Sequence, residues 1–181
     1  MSDSVRVVVL ADTHLHDRDL PRRDLPEQAW ERIRQCDVVL HAGDVLEVGT
    51  LQRLNQAAPT YAVLGNNDQT LAGHLPETRE LRLAGVSVAM VHDSGRRAGR
   101  PARLRRRFPH ADIVVFGHSH IPCDEVGVDG QVLFNPGSAT TKRSQPDRTL
   151  GELVLAQGRI VERHIVALPT LSGWAGARGP R

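Results

Sequence analysis

Five short stretches of this sequence bring histidine, aspartate and asparagine together: Asp12-Thr13-His14, Gly43-Asp44, Gly65-Asn66-Asn67-Asp68, His92-Asp93 and Gly117-His118-Ser119-His120. Carboxylate oxygen, amide oxygen and neutral imidazole form the donor set of borderline divalent cations such as Mn²⁺, Fe²⁺ or Zn²⁺. No cysteine stands among them, which argues against a structural zinc site. Seven of these side chains are candidate ligands: Asp12, His14, Asp44, Asn66, His92, His118 and His120. That is too many for one ion. With one carboxylate shared, the same set gives two ions four protein contacts each and leaves positions for water and substrate, as in two-metal centres with ions ~3.5–4 Å apart.

Such donors act together only if the chain delivers them to one place. Each stretch follows a short apolar run, and the valine-rich runs alternate with polar helical segments in an α/β pattern. Strands are expected at Val5–Ala11, Asp37–His41, Thr60–Leu64, Val86–Val91 and Asp112–Phe116. Helices are expected at Pro26–Cys36, with Ala29, Trp30 and Ile33 on one face, at Thr50–Ala57, and at Pro101–Phe108 with its thin Leu104/Phe108 stripe. The dipeptides Ala84-Gly85, Asp129-Gly130 and Gln157-Gly158 suggest hairpins pairing Glu80–Leu83 with Val86–Val91, Cys123–Val128 with Gln131–Phe134, and Gly151–Ala156 with Arg159–Ala167. Parallel-type units followed by hairpins imply two mixed sheets packed together with helices outside. The carboxyl ends of neighbouring strands in such sheets share one crevice, so the five loops converge.

Composition bounds the rest. A chain of 181 residues with 40% hydrophobic content suits one compact domain, taken as residues 1–168, with Pro169–Arg181 as a frayed tail punctuated by glycine and proline. Its net charge of +2 is too small for a protein devoted to the nucleic-acid backbone. Cys36 and Cys123 lack metal or disulfide spacing, Val7–Ala11 is too short for a signal sequence, and no run approaches the ~20 apolar residues of a membrane span. A soluble, reduced, cytoplasmic setting is the expectation. Seven arginines crowd Arg96–Arg107, which reads first as a solvated helix face and only second as an attractor of anionic substrates or nucleic acid.

The ordered set Asp12-x-His14, Gly43-Asp44, Gly65-Asn66-x-Asp68, His92, Gly117-His118-x-His120 resembles the calcineurin-like metallophosphoesterases. With Asn135-Pro136-Gly137-Ser138 closing the matched region from Val5 to Ser138, the chain is similar to the small YfcE-type phosphodiesterase branch. The resemblance implies the metallo-dependent phosphatase fold, a four-layer α/β/β/α sandwich. It implies that Asp12, His14 and His120 hold one divalent ion, Asn66, His92 and His118 the other, and that Asp44 bridges. The expected ions are Mn²⁺ first, with Ni²⁺, Fe²⁺ or Zn²⁺ as alternatives. The implied activity is hydrolysis of small phosphate esters by a hydroxide shared between the ions, with neither membrane nor nucleic-acid partner favoured and homo-oligomerisation left open.

Two departures sharpen that expectation. Asn67 stands where many superfamily members carry a histidine that assists the leaving group, and an amide is no proton donor at pH 7. Good leaving groups, as in aryl esters or strained cyclic diesters, are therefore favoured. Asp68 is expected to orient Asn67 or a nearby water. Gly43-Asp44-Val45-Leu46-Glu47 lacks the arginine of the protein phosphatase branch, so a protein phosphatase is not expected. The competing functions are a scaffold, since the superfamily includes a retromer subunit that keeps the fold without catalysis, and a nuclease using the arginine segment. Of the remaining histidines, His41 lies close enough to support the site or sits within its strand, His16 lies near it, and His74, His110 and His164 are expected at the surface. Asn135 and Ser138 either approach the metals or make a plain turn.

Overall fold

A computed structural model describes residues 4–168. The strands are β1 (Ser4–Leu10), β2 (Val38–His41), β3 (Thr60–Ala62), β4 (Thr78–Leu83), β5 (Val86–Val91), β6 (Ile113–Val115), β7 (Cys123–Val126), β8 (Val132–Asn135), β9 (Arg148–Ala156) and β10 (Arg159–Leu168). The helices are α1 (Glu27–Gln35), α2 (Val48–Ala57) and α3 (Arg100–Arg107). Two five-stranded mixed sheets form, in the orders β10-β9-β1-β2-β3 and β4-β5-β6-β8-β7. β1, β2 and β3 run parallel, as do β5, β6 and β8, while the hairpin strands pair antiparallel at the flanks.

Alternation along β1 shows how the layers arise. Val7 and Val9 point between the sheets, where they meet Val88, Met90, Val115 and Phe134. Val8 and Leu10 point the other way, against Ala29 and Ile33 of α1 and Leu54 of α2. A strand buried on both faces must read as a continuous apolar run, and β1 does. On the far side Leu104 and Phe108 seat α3 on Ala89, Val114 and Leu133. The result is the four-layer α/β/β/α sandwich. No helix among the described residues is long and apolar enough to cross a membrane.

Register places the site. Leu10 pairs with His41 and His41 with Ala62, so β1, β2 and β3 end level with one another. Met90, Val115 and Phe134 are likewise in line in the second sheet. The loops after all these strands therefore leave from one end of the sandwich. The opposite end is closed by hairpin turns with both central residues at positive φ: Ala84 at 46° and Gly85 at 86°, Gln157 at 50° and Gly158 at 73°. These two turns touch, Gly158 N–H donating to Ala84 O at 2.8 Å across the sheets.

Boundaries differ from the sequence expectation where backbone bonding changes. The third strand stops at Ala62 because the chain turns away, Leu64 N–H donating to Pro76 O at 2.8 Å. α2 begins at Val48, two residues early, and β7 ends at Val126 because Asp129-Gly130 sits inside a wider connection whose closing bond is Gly127 N–H to Gln131 O, 2.8 Å. The expected tail, Pro169–Arg181, lies outside the described residues.

Candidate metal centre

The loops that carry the candidate ligands are bent unusually sharply. Asp12, His14, Asp44, His118 and His120 all adopt positive φ, between 45° and 69°. Aspartate and histidine tolerate this region better than most side chains, but five such residues in one cluster mark a backbone constrained for function rather than for folding alone. Loops are cross-tied: Asp12 N–H donates to Gly43 O and His14 N–H to Asp44 O, both at 3.0 Å, and Gly117 N–H donates to His92 O at 3.0 Å. Glycine is required where these loops touch. A Cβ on Gly43, at φ 91°, would lie 2.6 Å from His92 Nδ1, and one on Gly65 would collide with the backbone amide and carboxylate of Asp44.

In one half of the site, Asp12, His14 and His120 converge. The two Nε2 atoms of His14 and His120 face each other at 3.2 Å with rings stacked, and Asp12 Oδ1 is 3.7 Å from His120 Nε2. His120 Nδ1 sits 2.8 Å from Thr141 O, so it carries the proton and leaves Nε2 as a lone pair. Burial lowers the pKa of both histidines, keeping them neutral, the form that binds cations. Asp12 is wholly buried; its Oδ1 accepts from His118 N–H at 3.0 Å, but Oδ2 has no hydrogen-bond partner. Burial pushes its carboxyl up to about 7, with the nearby His92 only partly offsetting this.

The other half is built around Asp44. Asn67 donates twice to it, from N–H to Oδ1 at 2.9 Å and from Nδ2 to Oδ2 at 2.7 Å. Oδ2 is also 3.4 Å from His92 Nε2 and 3.5 Å from His14 Nε2, placing it between the halves. Burial alone would raise Asp44, but His92 and Asn67 outweigh it and hold the carboxyl well below the usual carboxylate range. His92 is raised: burial opposes its charged form, yet Asp44 and the Ala42 carbonyl, 2.7 Å from Nδ1, favour it. Asn66 Oδ1 lies 3.0 Å from His92 Nε2 and 2.9 Å from His118 Nδ1, completing this half.

All seven candidate ligands are thus brought together. Donor atoms of Asp12, His14 and His120, and of Asp12, Asp44 and His92, lie within 4.8 Å of one another. A buried carboxylate with one oxygen unpartnered and the other 3.7 Å from an imidazole lone pair fits a divalent cation, which would satisfy these acceptors.

Neighbouring residues sort differently from expectation. Asp68 makes no bond to the Asn67 side chain: it is buried, and it accepts from the backbone amides of Asp44 at 2.9 Å, Gly65 at 2.7 Å and Leu46 at 2.7 Å. It braces the turn that presents Asp44. The Asn67 amide is engaged by Asp44. Asn135 Nδ2 donates to Gly117 O at 2.9 Å and Ser138 Oγ to Asp12 O at 2.7 Å, so both tie loops together. His41 is fully buried with Nε2 3.0 Å from Thr13 Oγ1, and burial lowers its pKa to about 3. His16 is paired with Glu47 at 2.8 Å, and His74, His110 and His164 are exposed. In the arginine segment, Arg103 donates to the carbonyls of Ser94, Arg96 and Ala98, Arg105 pairs with Asp129 at 3.1 Å, and Arg97 with Glu125 at 3.6 Å, which makes much of it local structure. Sequence reasoning missed Thr140, whose Oγ1 donates to Thr13 O at 2.7 Å, and Thr141, which acts through a backbone carbonyl and so leaves no side-chain signal.

Known proteins share both sequence and architecture with the chain. A probable metallophosphoesterase of Methanothermobacter thermautotrophicus is 31% identical over 137 residues, covering 75% of this chain and 77% of that protein. Vacuolar Protein Sorting 29 from Cryptosporidium parvum superposes with a TM-score of 0.71 at 20% identity, over 90% of this chain and 96% of that one. A novel archaeal phosphodiesterase gives a TM-score of 0.67 at 18% identity, over 90% and 99%. At these identities the two structures speak for the fold. The profile of the calcineurin-like phosphoesterase superfamily domain matches residues 5–157, which contain every candidate ligand, and the chain belongs to that superfamily.

Proposed function

We propose that the chain hydrolyses small phosphate esters, phosphodiesters foremost, at a dinuclear divalent metal centre. The observation that carries this reading is the buried Asp12 carboxylate, with Oδ2 unpartnered and Oδ1 3.7 Å from the lone pair of His120 Nε2, which His14 Nε2 faces. Asp12, His14 and His120 would hold one ion, Asn66, His92 and His118 the other, and Asp44 both. Two divalent ions, Mn²⁺ first and Ni²⁺, Fe²⁺ or Zn²⁺ as alternatives, would supply Lewis-acid polarisation of the phosphoryl oxygens and acidify a water between them.

The chain's own residues prepare that chemistry. Thr141 O fixes the His120 tautomer, and Ala42 O holds the His92 ring through Nδ1. Asn67 and His92 keep Asp44 ionised, and Asp68 braces the turn that aims it. Where a proton donor for the leaving group is expected, Asn67 is an amide committed to Asp44. The reading therefore favours leaving groups that depart as stable anions. The presence of all seven donors in one cluster supports an enzyme over a scaffold.

The test is to strip divalent metal, add back Mn²⁺, Ni²⁺, Fe²⁺, Zn²⁺ or Mg²⁺, and assay an aryl phosphodiester beside an aryl phosphomonoester. Metal-stimulated hydrolysis is expected, with the diester turned over at least as well. Asp44→Ala should lower the rate by about 10³-fold, several kcal/mol of barrier. Hydrolysis of neither ester with any metal, or full activity in Asp44→Ala, would overturn the proposal.

A further inference from the structure

One cation at the site is absorbed by none of the motifs. Arg143 lies in the loop after β8, and that loop is fastened to the Asp12 half at three points: Ser138 Oγ to Asp12 O at 2.7 Å, Thr140 Oγ1 to Thr13 O at 2.7 Å, and His120 Nδ1 to Thr141 O at 2.8 Å. Two residues past the last tie, Arg143 is exposed and takes φ 48°, in the left-handed region that arginine has no local side-chain bond to reward. Its neighbour Lys142 donates to Pro146 O at 2.7 Å, whereas the Arg143 side chain has neither a hydrogen bond nor an ion pair with any described residue. Most other arginines near charged groups are committed, as in Arg32 to Glu152 and Arg163 to Asp124.

The guanidinium nonetheless acts on the site. Two residues beyond the Thr141 tie, its positive charge lies within electrostatic reach of Asp12, His14 and His120 alike. A cation within reach of three donors suited to a cation opposes metal binding by itself. Placed with an anion between the two, the same arrangement is attractive on both sides. Guanidinium offers forked N–H donors that match phosphoryl oxygens, and it stays charged at every working pH.

Resting on the proposed function, we infer that Arg143 is a substrate-binding residue that grips a phosphoryl oxygen of the bound phosphate ester on the Asp12 side of the centre. Its role is to hold the phosphate anion, not the metal. That separates two affinities which a merely structural residue would move together.

The experiment uses the full chain loaded with Mn²⁺ and inorganic phosphate as the probe. Calorimetry gives the phosphate Kd, a separate titration of stripped protein gives the Mn²⁺ Kd, and aryl phosphodiester kinetics give KM and kcat. The variants are Arg143→Gln, Arg143→Lys and Arg143→Gly, the last chosen because glycine relieves the positive φ and protects folding. Arg143→Gln and Arg143→Gly should weaken phosphate by about tenfold, the worth of one charge-assisted contact. Their Mn²⁺ affinity should hold or improve, KM should rise more than kcat falls, and lysine should recover part of the loss. Phosphate affinity within twofold of the parent in both variants, or Mn²⁺ and phosphate affinities falling together, would overturn the inference while leaving the proposed function standing. A parent chain that neither takes up Mn²⁺ nor hydrolyses the diester would overturn both.

Discussion

The two halves of the candidate centre are built on opposite principles. Around Asp44 the donors are already occupied: two bonds from Asn67, three backbone amides on Asp68, and Asn66 Oδ1 between His92 and His118. Around Asp12 they are not, for Oδ2 has no partner and the imidazole nitrogens of His14 and His120 converge at 3.2 Å. A hydrogen-bonded frame keeps its geometry whatever it binds. A buried set of unpartnered acceptors depends on backbone strain and packing to stay assembled, and it gains most from a cation. In the metal-free chain each half favours protonation, Asp12 because burial raises it to about 7 and His92 because Asp44 and Ala42 O support its charged form. Metal binding near neutral pH should release these protons.

The largest expected effect comes from separating the titration of Asp12 from that of the buried His41. Asp12 is raised in the folded chain from 3.8 to about 7, so between those values the folded state holds a proton that the unfolded state has lost. Its contribution is therefore full below about pH 4 and declines as pH rises to about 7, by on the order of 4 kcal/mol. His41 is lowered from 6.5 to about 3, so there the unfolded state holds the extra proton and stability is lost as pH falls through that window, by a similar amount. The two slopes oppose and largely cancel. Unfolding metal-free protein between pH 4 and 7 should show Asp12→Asn losing stability toward acid more steeply than the parent, and His41→Gln losing it toward neutral pH. Identical pH slopes in all three proteins would refute the contrast, and saturating Mn²⁺ should remove the Asp12 contribution.

Next in size is a break in the Asp44 frame. Asp68→Ala leaves the amides of Asp44, Gly65 and Leu46 without their acceptor in a buried turn, a loss of about 3 kcal/mol. Hydrogen exchange should then speed up at those three amides, while the His118 amide, which donates to Asp12 Oδ1 at 3.0 Å, keeps its protection. Equal loss of protection at all four would mean that the halves are one unit.

The contrast also explains what could be read from the sequence. The clustering of the candidate ligands was legible because each follows an apolar run, and level strand ends such as Leu10, His41 and Ala62 bring those runs to one place. The layers were legible from β1, whose two faces both demand apolar residues. The bracing bonds of Asp68 were not legible, because its partners are backbone amides brought within reach only once the turn has formed. Thr141 contributes a carbonyl, and Arg143 is placed by a loop whose path depends on Thr140 and Ser138 finding the Asp12 loop, more than 120 residues earlier. Side chains at the ends of apolar runs leave a pattern; groups placed by long-range backbone contacts do not.

The smallest effect tests whether the Asp44 frame is only a frame. Asn67 is exposed, and its Nδ2 is 2.7 Å from Asp44 Oδ2, so an imidazole in its place could keep one ring nitrogen on that carboxylate and turn the other outward. Beside Asp44 the ring's charged form is favoured, giving the site the proton donor it lacks. Asn67→His should therefore speed hydrolysis of an alkyl phosphodiester over an aryl one by about tenfold, short of the ~10²–10⁴ of an acid fully positioned for its task. Only the alkyl ester gains, because an aryl oxide leaves without protonation and the rest of the frame is unchanged. Equal changes for both esters would show that the position serves Asp44 alone and has no access to the leaving group.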